Sequence, residues 1–363
     1  MKILFVGTVI PEELSVSVKS NSLAGNKFQS KIINYMRNSH EVDVFSFVAV
    51  PITEEDKENI LKHSDKNNIY FLKKPNTIKS ILRYRRELKK VSKNYDLIIA
   101  CNVVYAWLNL PKFNKNTMLL LSDFSDSNSY SNILLKCYAK ICKHDIRKYK
   151  YVVGLSEDTK FMLKKKQKFI CIPGGIDLKD YKNTTLPKID GKLKVMYSGA
   201  LEKVTGVDLL IEAINKTKFD NFELIITGRG SLESFVKEKQ NEKIKYYGSL
   251  PYEEYIKLLN SANILVNPRN MNLPENKNNF PSKVLDYLAV GKVVLSTKFI
   301  GYKNFENNFI FCDSNAESIM NKLEFIIENY TNIYENYYNL NREKTNEFDW
   351  KNQVQKMIDM IQK

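Results

Sequence analysis

The sequence has little with which to hold a metal ion or a disulfide framework. Its three histidines, His40, His63 and His144, share no metal-ligand spacing. Its five cysteines (Cys101, Cys137, Cys142, Cys171 and Cys312) are odd in number, scattered, and form no CxxC pair. That argues against a structural zinc and for a reducing, cytoplasmic setting. No apolar run approaches the roughly 18 residues of a membrane span. Met1–Gly7 is too short for a signal peptide, lacks a small-residue cleavage site, and reads as a first buried strand. A repeat of 20–50 residues is missing, as is any marked low-complexity segment, which excludes solenoids and propellers. GxGxxG is missing too, so a dinucleotide site of the usual kind is not expected. Tyr and Phe are frequent but form no RNP-like ladder, which counts against nucleic acid as the partner.

What is present is a basic, soluble composition of two- or three-domain length. The 363 residues carry a net charge of +15, and the charge is uneven. Residues 1–190 hold 33 Lys+Arg against 19 Asp+Glu, a net of +14, whereas residues 191–363 hold 23 against 22, a net of +1. A basic first half attracts an anionic membrane, a nucleic acid or a phosphorylated substrate. Within it, Lys79, Arg83, Arg85, Arg86, Lys89, Lys90 and Lys93 punctuate a helical pattern, and Lys160, Lys164, Lys165, Lys166 and Lys168 form a second patch. Such a helix can lie on an anionic leaflet or be a plain solvated face.

Short apolar runs alternate with helical patterns along the whole chain. In the first half Ile3–Val6, Val42–Phe47, Ile69–Phe71, Leu97–Ala100, Met118–Leu121, Tyr151–Gly154 and Phe169–Ile172 read as strands. Lys27–Arg37, Thr77–Lys93, Ser131–Lys148 and Glu157–Lys165 read as helices between them. Pro173-Gly174-Gly175 breaks the pattern, and it restarts at Val195–Ser198. Strands Glu223–Thr227, Lys245–Tyr247, Ile264–Asn267, Val293–Leu295 and Phe309–Phe311 follow, separated by helices at Val207–Lys216, Leu232–Lys239, Tyr252–Ser261 and Ser282–Val290. The tail Ala316–Lys363 is helical, with a break near Phe348-Asp349-Trp350. This alternation predicts an α/β protein with two open parallel sheets, each covered by helices on both faces. Ligands of such sheets sit at the carboxyl ends of the strands, so the cleft between the two domains is the expected site.

The chemistry concentrates in loops at those ends. Asn276–Lys292 runs from a polar loop through Pro281 into a helix. Proline suits the first helical turn because it needs no amide donor there. The amides of Ser282 and Lys283 then sit at a positive helix end, suited to anions, and Asp286 lies one turn deeper on the same face. That is either a nucleoside diphosphate site or an ordinary well-started helix. Tyr197–Asp208 offers Gly199, Lys203, Thr205 and Gly206, Thr227–Ser231 places Arg229 between two glycines, and Asn267-Pro268-Arg269 puts a guanidinium at a strand end. Gly25, in Asn21–Lys27, lets backbone approach a ligand near the first helix. Taken singly each is a solvated loop; four in one sheet point to a phosphate-bearing ligand.

Together these segments resemble the retaining glycosyltransferases of family 4, in their bacterial surface-polysaccharide form. The resemblance rests on Gly154-Leu155-Ser156, Ile172–Asp177, Tyr197–Leu201, Gly206–Ala213, Tyr247–Pro251, Asn267-Pro268-Arg269 and the Phe280-Pro281-Ser282-Lys283 stretch, in that order. It implies the GT-B architecture: two Rossmann-like doubly wound domains facing each other across a cleft, with C-terminal helices packing back toward the first. The boundaries expected are 1–172 for the acceptor-binding domain, 173–191 for a linker, 192–345 for the nucleotide-sugar domain and 346–363 for the returning helix. It further implies sugar transfer from a nucleoside diphosphate sugar, UDP ahead of GDP, to a saccharide hydroxyl. The basic first half points to a lipid-diphosphate-linked saccharide as acceptor, with an acidic polymer as the alternative, and to a protein that is cytoplasmic or peripheral at the inner face of the cell membrane. No cofactor or obligatory metal is implied.

By residue, the resemblance places Gly25, Ser282 and Lys283 at the donor diphosphate; Gly199 joins them from the loop reading, and Lys203, Arg229 and Arg269 are candidates to supply positive charge there. It assigns the ribose to Asp286, and the flank of the base to Tyr247, Gly248 and Leu250. Asn278 falls near the donor sugar. Asp123 and Asp126 stand on a first-domain loop, where they can hold the acceptor or orient its hydroxyl. The sequence departs from the family pattern at several points. Asn278 and Asp286 replace two glutamates, Ala200 and Thr205 replace an arginine and a lysine, and the Ser122–Asp126 loop lacks a histidine. These departures keep open a catalytically silent partner subunit, and the charge keeps open a basic membrane- or nucleic-acid-binding module.

Overall fold

The computed structural model describes residues 1–11, 14, 23–47, 53–63, 68–71, 78–102, 116–121, 133–186, 189, 191–276 and 280–362. The chain divides into two compact units, one of Met1–Gly175 with Trp350–Lys363 and one of Ile176–Asp349. Every strand pairing within each sheet is parallel.

The first unit runs β1 (Lys2–Gly7), α1 (Leu23–Arg37), β2 (Glu41–Phe47), α2 (Glu54–Lys62), β3 (Ile69–Phe71), α3 (Ile78–Val91), β4 (Leu97–Cys101), β5 (Thr117–Leu121), α4 (Ile133–Ile146), β6 (Tyr151–Gly154) and β7 (Lys168–Cys171). The sheet order is β3-β2-β1-β4-β5-β6-β7. Strands β4, β5 and β6 are buried along their whole length, as a parallel sheet with both faces covered requires. Alternate residues feed two cores. Ile3, Phe5, Val44, Ile99 and Leu120 pack with α1, and Leu4, Val6, Ile98 and Leu119 pack with Tyr84 and Leu88 of α3 and Ile146 of α4. The C-terminal helix α10 (Trp350–Gln362) completes the first core with Trp350, Val354, Met357, Ile358 and Met360. Gly175 leaves room for the Trp350 indole, since a Cβ there would lie 2.3 Å from Cδ2 of that ring.

The second unit runs β8 (Leu193–Ser198), α5 (Val207–Lys216), β9 (Phe222–Thr227), α6 (Glu233–Glu238), β10 (Ile244–Tyr246), α7 (Tyr252–Ser261), β11 (Ile264–Asn267), α8 (Lys283–Ala289), β12 (Val293–Thr297), β13 (Ile310–Cys312) and α9 (Ala316–Thr345). Its sheet order, β10-β9-β8-β11-β12-β13, is the doubly wound nucleotide-binding order. Helix α5 shows why the pattern reads as helix. Val207, Leu210, Ile211 and Ile214 recur at helical spacing and all are buried. Strand order reverses between β8 and β11, which opens a crevice at their carboxyl ends. Helix α9 runs 30 residues behind an Asn315 cap that accepts from the Ser318 amide.

Four elements differ from the sequence reading. Helix α2 was not expected; its signal is a capping box between Thr53 and Asp56 ahead of a charged run with few apolar residues. Residues Glu157–Met162 form a 3₁₀ segment rather than a helix to Lys165. Helix α1 begins at Leu23, so Gly25 lies in its first turn and its carbonyl accepts from Gln29 Nε2, instead of lying in an open loop. Helix α8 is seven residues long and starts at Lys283, with Ser282 as its N-cap and no side-chain capping bond.

Candidate donor site of the second unit

The site is built where β8 and β11 diverge. At the end of β8 the Ser198 amide and hydroxyl both bond the buried Tyr287 hydroxyl, at 3.1 and 3.0 Å, which locks α8 onto the strand. The following loop is tied by its own hydroxyls. Tyr197 Oη donates to the Ala200 carbonyl at 2.5 Å, and Thr205 Oγ1 donates to the carbonyls of Ala200 and Glu202, each at 2.7 Å. Thr205 is therefore committed to its own loop, and the phosphate contact expected of it is not available in this arrangement.

Two neighbouring loops pack backbone to backbone against this one. The Leu201 amide donates to the Arg229 carbonyl at 2.9 Å, and the Leu232 amide to the Leu201 carbonyl at 2.8 Å. The Glu202 carboxylate takes the Ser231 amide at 2.8 Å and the Ser231 hydroxyl through a short bond. Gly228 has φ +137°, and a Cβ on it would sit 1.8 Å from the Gly199 carbonyl oxygen. Gly206 likewise leaves space for the Pro268 carbonyl, 1.9 Å from where its Cβ would be. Only glycine allows either approach.

Beneath these loops lie two cations. Arg269 is 8% exposed, and its Nε donates to the side-chain oxygen of Asn276. Asn276 is fully buried and donates to the carbonyls of Val204 and Asn270, both at 2.7 Å, so it fixes the guanidinium relative to two loops. Lys283 projects Nζ over the Tyr197 ring, 4.0 Å from its centroid, with no hydrogen-bond partner. That Nζ is 3.3 Å from where a side chain at Gly199 would begin. Burial, followed by the positive charge of Arg269, pushes the Lys283 ammonium well below its ordinary pKa. The buried Lys283 Nζ, with no hydrogen-bond partner and with the Arg269 charge acting on it, is a place that an anion can fill.

Asp286 lies one turn further along α8. Its Oδ1 accepts from the Tyr181 hydroxyl at 2.7 Å and its Oδ2 from the Tyr255 hydroxyl at 3.4 Å. Ser282 is exposed at the helix start, and Lys203 and Arg229 are exposed at the rim of the loops. Tyr247 is 51% exposed, and the Gly248 carbonyl accepts from the Gly228 amide and the Thr227 hydroxyl. With Leu250, Tyr247 lines a shallow pocket of about 350 Å³ against Glu254, Lys257, Leu258 and Ser261 of α7.

The structure thus brings together Gly199, Arg269 and Lys283, places Asp286 one turn further along α8, and leaves Lys203, Arg229 and Ser282 exposed. Gly25 belongs to the first unit. Asn278, Asp123 and Asp126 lie outside the described residues. Sequence reasoning missed Tyr181, which it placed in a linker, Tyr255, which carries no motif, and the parts played by Asn276 and Tyr287 inside the Asn276–Lys292 stretch. The spacing of Tyr252 and Tyr255 was the available signal, because residues three apart share a helix face. Among the described residues no group of three or more His, Cys, Asp and Glu is placed to hold a metal.

Doubly wound sheets of this order hold their ligands at the switch point, which is where Arg269 and Lys283 lie. Residues 179–344, all in the second unit, match the family model described as glycosyl transferases group 1. Solved structures of GT-B enzymes share the whole fold. Sucrose-phosphate synthase from Thermosynechococcus elongatus aligns with a TM-score of 0.75 at 14% identity, covering 100% of this chain and 98% of that one. Anabaena HepE in complex with UDP aligns with a TM-score of 0.75 at 15% identity, covering 100% of both chains. The lipopolysaccharide outer core galactosyltransferase WaaB, in its apo form, aligns with a TM-score of 0.67 at 13% identity, covering 99% of both. No curated protein sequence matches the chain. The chain therefore has the GT-B fold, and its second unit is similar to the glycosyl transferases group 1 over residues 179–344.

Proposed function

We propose that the chain moves a hexose-type sugar from a nucleoside diphosphate sugar, UDP ahead of GDP, to a hydroxyl of a saccharide acceptor. The observation that carries this is the buried pair Arg269 and Lys283, the latter unpartnered, at the switch point of the second sheet. A diphosphate supplies the counter-charge that Lys283 lacks, and the same contact strengthens as charge builds on the leaving diphosphate. UDP is favoured because HepE is described in complex with UDP and with UDP-glucose. Retention of configuration follows from the family resemblance. In that chemistry the leaving phosphate can take the acceptor proton, so no strong protein base is needed. We propose no obligatory metal, since the fixed cations can do the electrostatic work.

The acceptor we propose is a lipid-diphosphate-linked saccharide of a bacterial surface polysaccharide. Support comes from the first unit's charge and surface. Helices α3 and α4 and the 157–162 segment connect strands over one face of its sheet. They expose Leu82, Ile133, Ile141 and Phe161, the last at 85%, among exposed lysines and arginines. Apolar tips among cations suit a peripheral contact with an anionic leaflet. Among the described residues no helix is long and apolar enough to cross a membrane.

Calorimetry with UDP, GDP and ADP tests the donor reading. One nucleotide should bind, with Lys283→Ala and Asp286→Ala each weakening it about 10-fold or more. Chelator should leave both affinity and turnover unchanged, and the sugar product should keep its anomeric configuration. Binding of none of the three would overturn the reading. A second reading, a silent partner subunit, is favoured by the replacement of both motif glutamates, by Asn278 and Asp286; it requires binding without turnover on any acceptor.

A further inference from the structure

The Asp286 carboxylate has no cationic partner among the described residues; the donors it meets are tyrosines. Tyr181 is 1% exposed, sits at the end of the 3₁₀ segment Leu178–Tyr181, and donates to Oδ1 at 2.7 Å. Tyr255, on α7, donates to Oδ2 at 3.4 Å, near the limit of a hydrogen bond. The two supporting elements are themselves joined, because Tyr252 of α7 donates to Asp180 at 3.1 Å and its ring lies 6.3 Å from that of Tyr255. Burial, and then the Asp286 charge, raise the Tyr181 and Tyr255 hydroxyls well above their ordinary range, so both remain protonated donors.

From this geometry, and resting on the donor-site reading above, we infer that Tyr181 and Tyr255 are positioning residues that aim Asp286 at the ribose diol of the nucleotide. Tyr181 is the fixed anchor, and Tyr255 is the donor that yields its place. An ionised carboxylate accepts at about four lone-pair positions. Tyr181 holds one by a short bond from a buried ring, and the longer Tyr255 bond is the one a ligand hydroxyl replaces. Two donors from a vicinal diol, with the Tyr181 bond, then fill three of those positions on a carboxylate that is only partly buried. An aspartate reaches less far than a glutamate, so its aim depends more on the groups that hold it.

The test compares UDP with 2′-deoxy-UDP on the wild type, Tyr181→Phe and Tyr255→Phe, each first shown to keep the wild-type unfolding transition. The wild type should prefer UDP by about 10-fold or more, the scale of one charge-assisted hydrogen bond. Tyr181→Phe should weaken UDP and bring the ratio of the two affinities toward one. Tyr255→Phe removes a hydroxyl from the same carboxylate, yet should keep the ratio and bind UDP as well as or better than the wild type. A ratio unchanged in Tyr181→Phe, or a wild type that does not separate the two ligands, overturns this inference while UDP binding stands. If the wild type binds no nucleoside diphosphate, the donor-site reading falls and takes this inference with it.

Discussion

Lys283 and Lys292 are two buried lysines with opposite prospects. Lys283 holds a buried Nζ over the Tyr197 ring with no hydrogen-bond partner, so a bound diphosphate restores the charge that burial disfavours. Its pKa is low in the free protein and rises on binding. Between those two values each binding event takes up a proton, so affinity must fall as pH rises through that window. Calorimetry in buffers of different ionisation enthalpy should show the uptake, and Lys283→Met should abolish it. Lys292 is 1% exposed, and its Nζ reaches the Thr185 carbonyl at 3.3 Å. Burial pushes its pKa down from 10.5 to about 8. The folded state therefore binds fewer protons than the unfolded chain between those values, and stability rises with pH across that interval. Below it the penalty is complete. Lys292→Met should raise the unfolding free energy at pH 7 by roughly 1–3 kcal/mol, with the gain shrinking when urea melts are repeated near pH 10.

At the scale of elements, the site is a set of loops whose backbones touch. Residues Gly199–Gly206 carry their own hydroxyl ties, and the Thr227–Ser231 turn is pinned to them by Glu202. Gly228→Ala would drive a Cβ into the Gly199 carbonyl and hold an L residue at φ +137°. It should cost on the order of 3 kcal/mol and weaken nucleotide binding with it. Gly248 is the comparison: it has φ +70° but open space around its Cβ position, so Gly248→Ala should cost only about 1 kcal/mol. Paired urea melts of the two variants separate steric collision from backbone preference. The loops were legible in the sequence as glycine-bearing turns after apolar runs. Their mutual contacts were not, because backbone-to-backbone approach between residues as far apart as Gly199 and Gly228, or Gly206 and Pro268, leaves no local pattern.

The whole molecule divides its labour by charge. The first unit carries 33 Lys+Arg against 17 Asp+Glu, a net of +16, and the second, at a net of −1, holds the buried cationic groups of the candidate donor site. If the first unit meets an anionic leaflet, binding to vesicles rich in anionic lipid should fall several-fold between low and physiological salt. Lys164→Glu with Lys165→Glu should weaken it further, and Phe161→Ala should weaken the part that survives salt. Co-sedimentation with neutral and anionic vesicles reads both effects. Binding that ignores lipid charge would remove the membrane from the proposal.

The sequence by itself determined the alternation of strands and helices, the restart after Pro173-Gly174-Gly175, and the polar loops at strand ends. Each is written in neighbouring residues through hydrophobic period and turn chemistry. It also carried Lys283 and Asp286, because one turn of helix fixes their spacing. It erred where the local signal was weak: α2 has few apolar residues, and α1 starts two residues before Gly25. Only the tertiary structure decided that Lys283 is buried beside Arg269 without a partner, and that Asn276 braces that guanidinium. It alone decided that Asp286 is held by Tyr181 and Tyr255, residues 105 and 31 positions away. A side chain's charge is written in its residue type; its solvation and partners are set by whichever distant segments the fold packs against it.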